Sequence, residues 1–298
     1  MIAHDDPQAA PAADELTWRL GHRRTLLSAA LTVVAGAMTV AAMVPLLSVL
    51  GMLIYRGGQR LSPRLFTELP PAAGMEGGGV GNAVVGTLLM VAIGAALSVP
   101  FGILAAVFLA EFGPDTRLAG AVRFVAKVLS GLPSVLAGLF AYAAVVLVTG
   151  TYSALAGGAA LAVLMLPMVL LTAEQALKAV PRRMREAAVG LGCTPTQAVW
   201  HVVLPAALPG VLTGVMLAVA RAAGDTAPLL FTALFSDYWL TRNPMSPTPS
   251  LAVLIFDFSS SPFRNQIEVA WAASLVLVAL VMLTNVAART WAARSAPK

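Results

Sequence analysis

Long apolar runs dominate this chain, and charge is confined almost entirely to the segments between them. Residues 29–54, 77–110 and 128–173 contain no charged side chain. A helix needs about 20 apolar residues to cross a hydrocarbon layer of about 30 Å, so the first run predicts one crossing. The Gly-rich start of the second reads as loop and leaves a crossing near 83–110. The third is too long for one span and is divided at the turn-like Thr149-Gly150-Thr151-Tyr152-Ser153. A fifth crossing starts near Ala206 and continues past Arg221, and a sixth covers 269–288. The predicted fold class is an all-α integral membrane protein with six transmembrane helices. Irregular lipid-facing backbone is excluded because its polar groups would go unpaired.

Composition agrees. Of 298 residues, 58% are hydrophobic and 11% charged, where a soluble domain carries roughly 25% charge. The lone Cys193 excludes an internal disulfide framework. It falls in a predicted inner loop, where a reduced thiol is expected. The net charge of +5 does not point to nucleic acid, because the basic residues cluster beside apolar runs, as membrane orientation requires. With the N-terminus inside, the inner segments hold Arg19, Arg23, Arg24, Arg117, Arg123, Lys127, Lys178, Arg182, Arg183, Arg185, Arg289, Arg294 and Lys298. The outer loops hold only Arg56, Arg60, Arg64, Arg242 and Arg264. Both termini are therefore expected in the cytoplasm.

The resulting division is a cytoplasmic tail (1–24), a first transmembrane helix (25–54), an extracytoplasmic loop (55–82), a transmembrane core (83–289) and a second tail (290–298). Loops 55–82 and 237–268 are rich in Gly, Pro and Ser and face an external partner. The Pro/Ala-rich first 16 residues, with Asp5, Asp6, Asp14 and Glu15, read as a disordered tail. His22-Arg23-Arg24-Thr25-Leu26-Leu27 faintly resembles a twin-arginine export signal. The apolar run behind it exceeds the about 7–15 residues of a signal and suits a retained helix.

The charged loop 174–205 carries a spaced pattern. Glu186-Ala187-Ala188 is followed by three residues, Gly192, nine residues, then Val202-Val203-Leu204-Pro205. Pro181 stands where a first-turn proline starts a short helix over 182–189. Gly190 and Gly192 can end it. Thr194 then reads as an N-cap, Pro195 as the first helical residue and Gln197 as the capping-box partner. Leu204-Pro205 is expected to end this second helix and lead into the fifth crossing. The prediction is a helix–turn–helix parallel to the membrane.

This pattern, placed after a fourth crossing and before a fifth, resembles the EAA loop of ABC type I importer permeases. Glu-Ala-Ala alone is ordinary helix-forming sequence, and an amphipathic cytoplasmic loop is the plain alternative. The resemblance implies a MetI-like architecture and a loop that docks onto a separate ATPase. Glu186 would orient the contact and Gly192 permit the turn, with Ala187, Ala188, Leu204 and Pro205 completing the element. The chain has no Gly-x-x-x-x-Gly-Lys-Ser/Thr phosphate loop, nor any Gly-Lys dipeptide, so it lacks a nucleotide-phosphate cradle. It is expected to be a non-catalytic transport subunit binding no cofactor, with ATP and Mg on the partner ATPase.

Arg221-Ala222-Ala223-Gly224-Asp225-Thr226-Ala227-Pro228 puts two charges in a crossing segment. Arg221 falls fifteen residues past Ala206, about 22 Å along a helix, where a charge costs about 2.5–3.5 kcal/mol on the insertion scale. Arg221 and Asp225 are four residues apart, so they share a face and can pair, while Gly224 and Pro228 are expected to loosen or break the helix there. One reading is an oxyanion relay, since guanidinium offers a planar fork of donors suited to phosphate. The other is a salt bridge holding two subunits in register. Gly131-Leu132-Pro133-Ser134 is expected to kink or break the third crossing, with Ser134 lining a path or merely packing. Gly210-x-x-x-Gly214 permits close helix contact. His4, His22 and His201 are scattered and form no metal set. Trp18, Trp200, Trp239, Trp271 and Trp291 fall mostly near predicted helix ends, as interface anchors do.

Arg221–Pro228 with the following Leu229-Leu230-Phe231-Thr232-Ala233 is similar to phosphate importer permeases of the PstA type. So are Gly131-Leu132-Pro133-Ser134-Val135-Leu136-Ala137-Gly138-Leu139-Phe140 and Gly78-Gly79-Val80-Gly81-Asn82-Ala83-Val84-Val85-Gly86-Thr87-Leu88. In that family the acid after Gly224 is usually glutamate, and the shorter Asp225 reaches less far. The resemblance implies a homologous second permease (PstC type), an ATPase dimer (PstB type), an extracytoplasmic phosphate-binding protein (PstS type) and surrounding membrane lipid. It places the chain in the cell (inner) membrane, with its first helix against the partner permease and a path formed by Arg221, Asp225, Thr226 and Ser134. Another oxyanion such as sulfate, molybdate or phosphonate would suit the same scaffold, and reporting of phosphate supply to a sensor is compatible with transport. A secondary transporter would need an ion-coupling site and usually internal repeats.

Overall fold

The computed structural model describes residues 23–240 and 243–295, and all regular elements among them are helical. The whole expected disordered tail (1–16), His22, the inner cations Arg19 and Lys298 and the outer cation Arg242 lie outside the described residues. The chain divides into two compact units, Met1–Met52 and Leu53–Lys298. In the first unit the described residues all belong to α1 (Arg23–Gly58), which runs on into the second. The α1 sequence is apolar on every side rather than along one stripe, as a membrane span is.

The second unit continues with α2 (Pro63–Thr67), α3 (Gly81–Val107) with a π turn (Phe108–Phe112), and α4 (Arg117–Ser130). Next come α5 (Ser134–Ala141), a π turn (Tyr142–Val146), α6 (Leu147–Thr149), α7 (Ala154–Lys178), α8 (Arg182–Gly190) and α9 (Pro195–Ala198). A third π turn (Val199–Val203) leads into α10 (Leu204–Ala223), followed by α11 (Ala227–Thr232), α12 (Leu251–Ser259) and α13 (Arg264–Ser295).

Among the described residues five helical stretches are long and apolar enough to cross a membrane. They are Thr25–Gly58, Gly81–Phe112, Ala154–Lys178, Pro195–Ala223 and Arg264–Ala287. A sixth exists only as the pair Arg117–Ser130 and Ser134–Thr149, bent by 105°. The expected break at Gly131–Pro133 is therefore present, and the broken pair begins at Arg117, upstream of the charge-free run. Pro133 has no N–H to donate and caps α5 from outside, so the chain turns there. The divider after this pair is as expected: Gly150 takes φ +71 and Ser153 caps α7, its hydroxyl accepting from Ala156 N–H at 3.1 Å.

Of two further boundaries, one differs from expectation and one agrees with it. Leu204-Pro205 does not end the second arm of the charged loop; helix continues from Pro195 to Ala223. The π turn explains this. Leu204 N–H reaches back five residues to Val199 O, and the wider turn lets a proline lacking its own donor enter the helix. At the other end the fifth crossing stops at Ala223, capped by Gly224, two residues past Arg221. The outer segment 237–268 also contains α12, too short to span, which is why its apolar run read as loop.

Packing centres on α7. Gly94 of α3 faces Gly158 and Leu161 of α7, and Gly102 faces Val169 and Leu170 further along it. A Cβ on Gly102 would lie 2.8 Å from Val169 Cγ1, and one on Gly158 would overlap Ile93. Close approach through small residues is how helices gain contact where lipid removes the hydrophobic drive. Gly210 and Gly214 do the same on α10, abutting Ala176 and Thr172. Met90, Leu161, Met165, Val169, Val211 and Leu229 fill the resulting core between α3, α7, α10 and α11. A second core joins α2, α12 and α13 through Leu65, Leu251, Leu254, Phe258 and Val269. The segment between α1 and α3 is tied down: Arg60 pairs with Glu268 at 3.3 Å, and Glu68 accepts from Gly78 N–H at 3.1 Å.

The short α5 and α11 meet where Gly138 lies against Pro228. A Cβ on Gly138 would sit 2.6 Å from Pro228 Cα, an atom that cannot swing away. Gly138→Ala is expected to destabilise the protein by about 1–3 kcal/mol. Gly120→Ala, with nothing within 4 Å, should be neutral or slightly stabilising. Thermal unfolding of the two variants in one detergent checks the contrast.

Candidate functional site

Three constellations carry chemistry: a cleft beneath Arg221, the short helices around Gly192, and a pair of ion clusters beside them. The first follows from helix register. Gly214 abuts Thr172 and Gly210 abuts Ala176, so α7 and α10 run antiparallel, and Arg221 stands level with Leu164, near the middle of α7. Its side chain lines a cleft of about 280 Å³ with Leu129, Ser130, Leu132, Leu164, Met168, Leu171 and Thr172. From Leu164 to Thr172 the cleft follows α7 for about 12 Å.

Arg221 is exposed and takes part in none of the ion pairs among the described residues. The helix ends between it and Asp225, so the i,i+4 geometry that would bring the two together on a continuous helix is absent. Asp225 instead sits in the turn after α10, its N–H donating to Ala222 O at 3.3 Å. Thr226 is the N-cap residue of α11, with its carbonyl accepting from Leu229 N–H at 3.1 Å. Ser134 is the first residue of α5. None of Asp225, Thr226 and Ser134 lines the Arg221 cleft.

The hydroxyls that do line it are Ser130 and Thr172, neither singled out by the sequence. Each donates to a carbonyl of its own helix, Ser130 to Lys127 O at 2.8 Å and Thr172 to Met168 O at 2.7 Å. Their oxygen lone pairs remain. A guanidinium fork with two hydroxyls in an apolar cleft suits a small oxyanion with protons of its own to donate.

The second constellation has the conformation its sequence predicts. α8 starts after Pro181 and ends at Gly190. Gly192 takes φ +89, and Cys193 N–H returns to Ala188 O at 3.1 Å. Here a left-handed residue closes the helix, and only glycine takes that conformation without strain. Thr194 and Gln197 form both bonds of the capping box, at 3.3 and 2.9 Å. Glu186 and Ala187 are exposed and Ala188 is buried, while Leu204 and Pro205 are half-buried at the start of α10. Met184, Val189, Leu191 and Trp200 are exposed apolar side chains on this element, Leu191 at 87%.

The third constellation was not foreseen. Glu174, with only 2% of its side chain exposed, accepts from Arg123 Nε at 2.7 Å and Lys178 Nζ at 2.6 Å. The rest of the Arg123 guanidinium donates to Pro114 O and Leu109 O, both at 2.8 Å. Nearby, Glu111 takes a two-pronged contact from Arg185, Nε to Oε2 at 3.1 Å and Nη2 to Oε1 at 2.7 Å. Arg185 also donates to Val180 O at 2.5 Å and Leu177 O at 2.8 Å, closing the carbonyl end of α7, where positive charge is favoured. Arg123, Lys178 and Arg185 counted only as inner-side charge in the sequence. The available signal was the four-residue spacing of Glu174 and Lys178; the partners from other helices had none. Among the described residues no group of three or more His, Cys, Asp or Glu is arranged to hold a metal ion.

Comparison with known proteins agrees with this arrangement. The family described as the binding-protein-dependent transport system inner membrane component matches residues 98–298. The phosphate transport system permease protein PstA of Yersinia pestis is 39% identical over 236 residues, covering 79% of this chain and 80% of the relative. The protein of the same name from Haemophilus influenzae is 38% identical over 273 residues, covering 91% and 94%. Among solved structures, the permease fold in an inward-facing crystal form of the MetNI methionine ABC transporter aligns with a TM-score of 0.59 at 21% identity. That alignment covers 74% of this chain and 95% of the other.

Removing the Glu174 charge would leave Arg123 and Lys178 facing a neutral group in a buried site. Because Lys178 and Arg123 remain partly exposed to solvent, Glu174→Gln is expected to lower stability by about 1–3 kcal/mol. Its thermal unfolding midpoint in detergent should fall well below that of Glu186→Gln, whose side chain is exposed.

Proposed function

The chain belongs to the binding-protein-dependent transport system inner membrane components, within them to the PstA-type phosphate permeases, and from that premise we propose that it forms half of the translocation path of an ATP-driven importer of inorganic phosphate. It is an integral membrane protein and a transport subunit. The second half of the path is a homologous permease. The energy comes from an ATPase dimer docked on residues 182–204, and phosphate arrives from an extracytoplasmic binding protein at the outer loops. Both termini face the cytoplasm, as the distribution of Lys and Arg requires.

The observation that carries this reading is Arg221. It is a fixed cation at mid-depth in an apolar cleft, with no ion-pair partner of its own among the described residues. A charge at that depth is expensive unless it serves a path or a partner, and guanidinium matches the oxygens of phosphate. In this reading phosphate passes Arg221 as the helices rock between outward and inward openings. The helix breaks at 131–133 and 224–226 let the segments beside it move as separate pieces. Asp225, just beyond the α10 terminus and outside the cleft, meets the guanidinium in this reading only after the turn at Gly224 has moved. Alternating access of this kind needs the ATPase only to drive α8 and α9, because the chain has no nucleotide site of its own.

ATP-dependent uptake of radiolabelled phosphate into vesicles holding the complete complex tests the proposal. Arg221→Ala should leave assembly and ATP hydrolysis intact while uptake falls at least roughly tenfold, the loss of one charge-assisted contact. Uptake that proceeds without the ATPase sinks the assignment. Sulfate taken up in preference to phosphate moves the substrate to another oxyanion. Full activity in the variant removes Arg221 from the path.

A further inference from the structure

The two ion clusters are more elaborate than holding a fold requires. The π turn Phe108–Phe112 at the inner end of α3 is gripped from two sides. Arg123 of α4 holds the Leu109 carbonyl and, past the turn, that of Pro114. Arg185 of α8 holds the Glu111 carboxylate with both prongs. The same Arg185 closes the end of α7 through Leu177 and Val180. Glu174, one turn back along α7, anchors Arg123. Two arginines and two glutamates thus join four elements: the α3 terminus, α4, the α7 terminus and α8.

Position gives this lattice its meaning. Arg185 precedes Glu186 of the exposed docking element by one residue, and its guanidinium is the only side-chain ion-pair link from α8 to the helices among the described residues. On α7, Glu174 stands two residues from Thr172, which lines the Arg221 cleft. A π turn is a place where helical hydrogen bonding is already irregular, so α3 can bend there at low cost. Bidentate guanidinium–carboxylate pairs fix direction as well as distance, whereas an apolar contact at the same place would allow sliding.

We propose that Glu111 and Arg185 are positioning residues for energy coupling: their pair transmits displacement of α8 to the inner ends of α3 and α7. Arg123 and Glu174 brace the same π turn, so that the force reaches the helices rather than straining the loop. Neither Glu111 nor Arg185 contacts substrate or nucleotide. Their part is to keep one ATP cycle tied to one rearrangement of the path. This inference rests on the reading that a partner ATPase drives the chain.

The test is anion taken up per ATP hydrolysed, measured on the complete complex in proteoliposomes with each subunit quantified. Glu111→Gln keeps the shape and removes the charge, Glu111→Asp keeps the charge on a shorter arm, and Arg185→Lys keeps the charge but loses the fork. The expected result is normal assembly, ATP hydrolysis near the wild-type rate, and anion per ATP reduced roughly tenfold in Glu111→Gln. Glu111→Asp should recover part of the ratio, and Arg185→Lys should resemble Glu111→Gln. A merely structural pair would lower assembled complex, uptake and hydrolysis together and leave the ratio unchanged; that outcome overturns the proposal. So does failure of all three variants to assemble, or an unchanged ratio in an assembled Arg185→Lys complex. The wild-type complex separates the two levels of inference. If it takes up a different oxyanion, the ratio is read with that anion and the coupling proposal stands. If it takes up its anion without hydrolysing ATP, the transport reading fails first.

Discussion

Charge in this molecule is governed by one constraint: within or beside a hydrocarbon layer, an ionised group must be met by other polar groups. Glu174 meets it with two cations, and Glu111 with a two-pronged guanidinium. Their arginines are met in turn by carbonyls at helix ends. Desolvation of such groups is large enough to decide which helix ends can lie together. The inner end of the bundle is therefore built around these ions. Arg221 answers the same constraint in the opposite way. It stands at mid-depth with no ion pair among the described residues, in a cleft whose other polar groups are two hydroxyls.

The same constraint acts on the backbone. Lipid forces long hydrogen-bonded helices, so each interruption has to be supported locally. Three interruptions are supported by proline or glycine: the bend at Gly131–Pro133, the left-handed Gly150 and the turn at Gly224. Three more are π turns, which keep the helix continuous while redirecting it. Two of the breaks, at 131–133 and 224–226, adjoin the Arg221 cleft, while one π turn, Val199–Val203, lies within the charged loop and another, Phe108–Phe112, is tied to it through Arg185. Rigid packing of α3 on α7, through glycines that leave no room for a Cβ, separates these two irregular zones.

Local chemistry was legible in the sequence and long-range pairing was not. Pro181, Gly192, Thr194 and Gln197 state their conformations within four residues, so the short helices, the left-handed turn and the capping box could be read directly. The Gly131–Pro133 break was legible for the same reason. The bend angle was hidden, because a charge-free run looks the same straight or folded. Pro205 read as a helix end because a proline usually is one, and the π turn that admits it leaves no mark in the sequence. Pairing of Arg221 with Asp225 presumed a continuous helix, which Gly224 ends. Ser130 and Thr172 were invisible as partners of Arg221, since the register of α7 on α10 decides their placement. Glu111 and Glu174 are single acids at the ends of apolar runs, and nothing near them names Arg185 or Arg123.

The two zones meet on α7. Its last two turns carry Glu174, Lys178 and the carbonyls that Arg185 closes, while Met168, Leu171 and Thr172 of the same helix line the cleft. The separation between Thr172 and Glu174 is about 3 Å along the axis, with no proline or glycine between them. Pro167 is the one proline inside α7, and it lies beyond Thr172 from the ion cluster, within the span that borders the cleft. A helix loses a backbone bond at proline and bends there first. Movement imposed at the ion-bound end would thus carry Glu174 and Thr172 together and find its hinge beside Arg221. Thr172 and Glu174 thus lie on one unbroken helix that borders the cleft along one stretch and the ion cluster at its end.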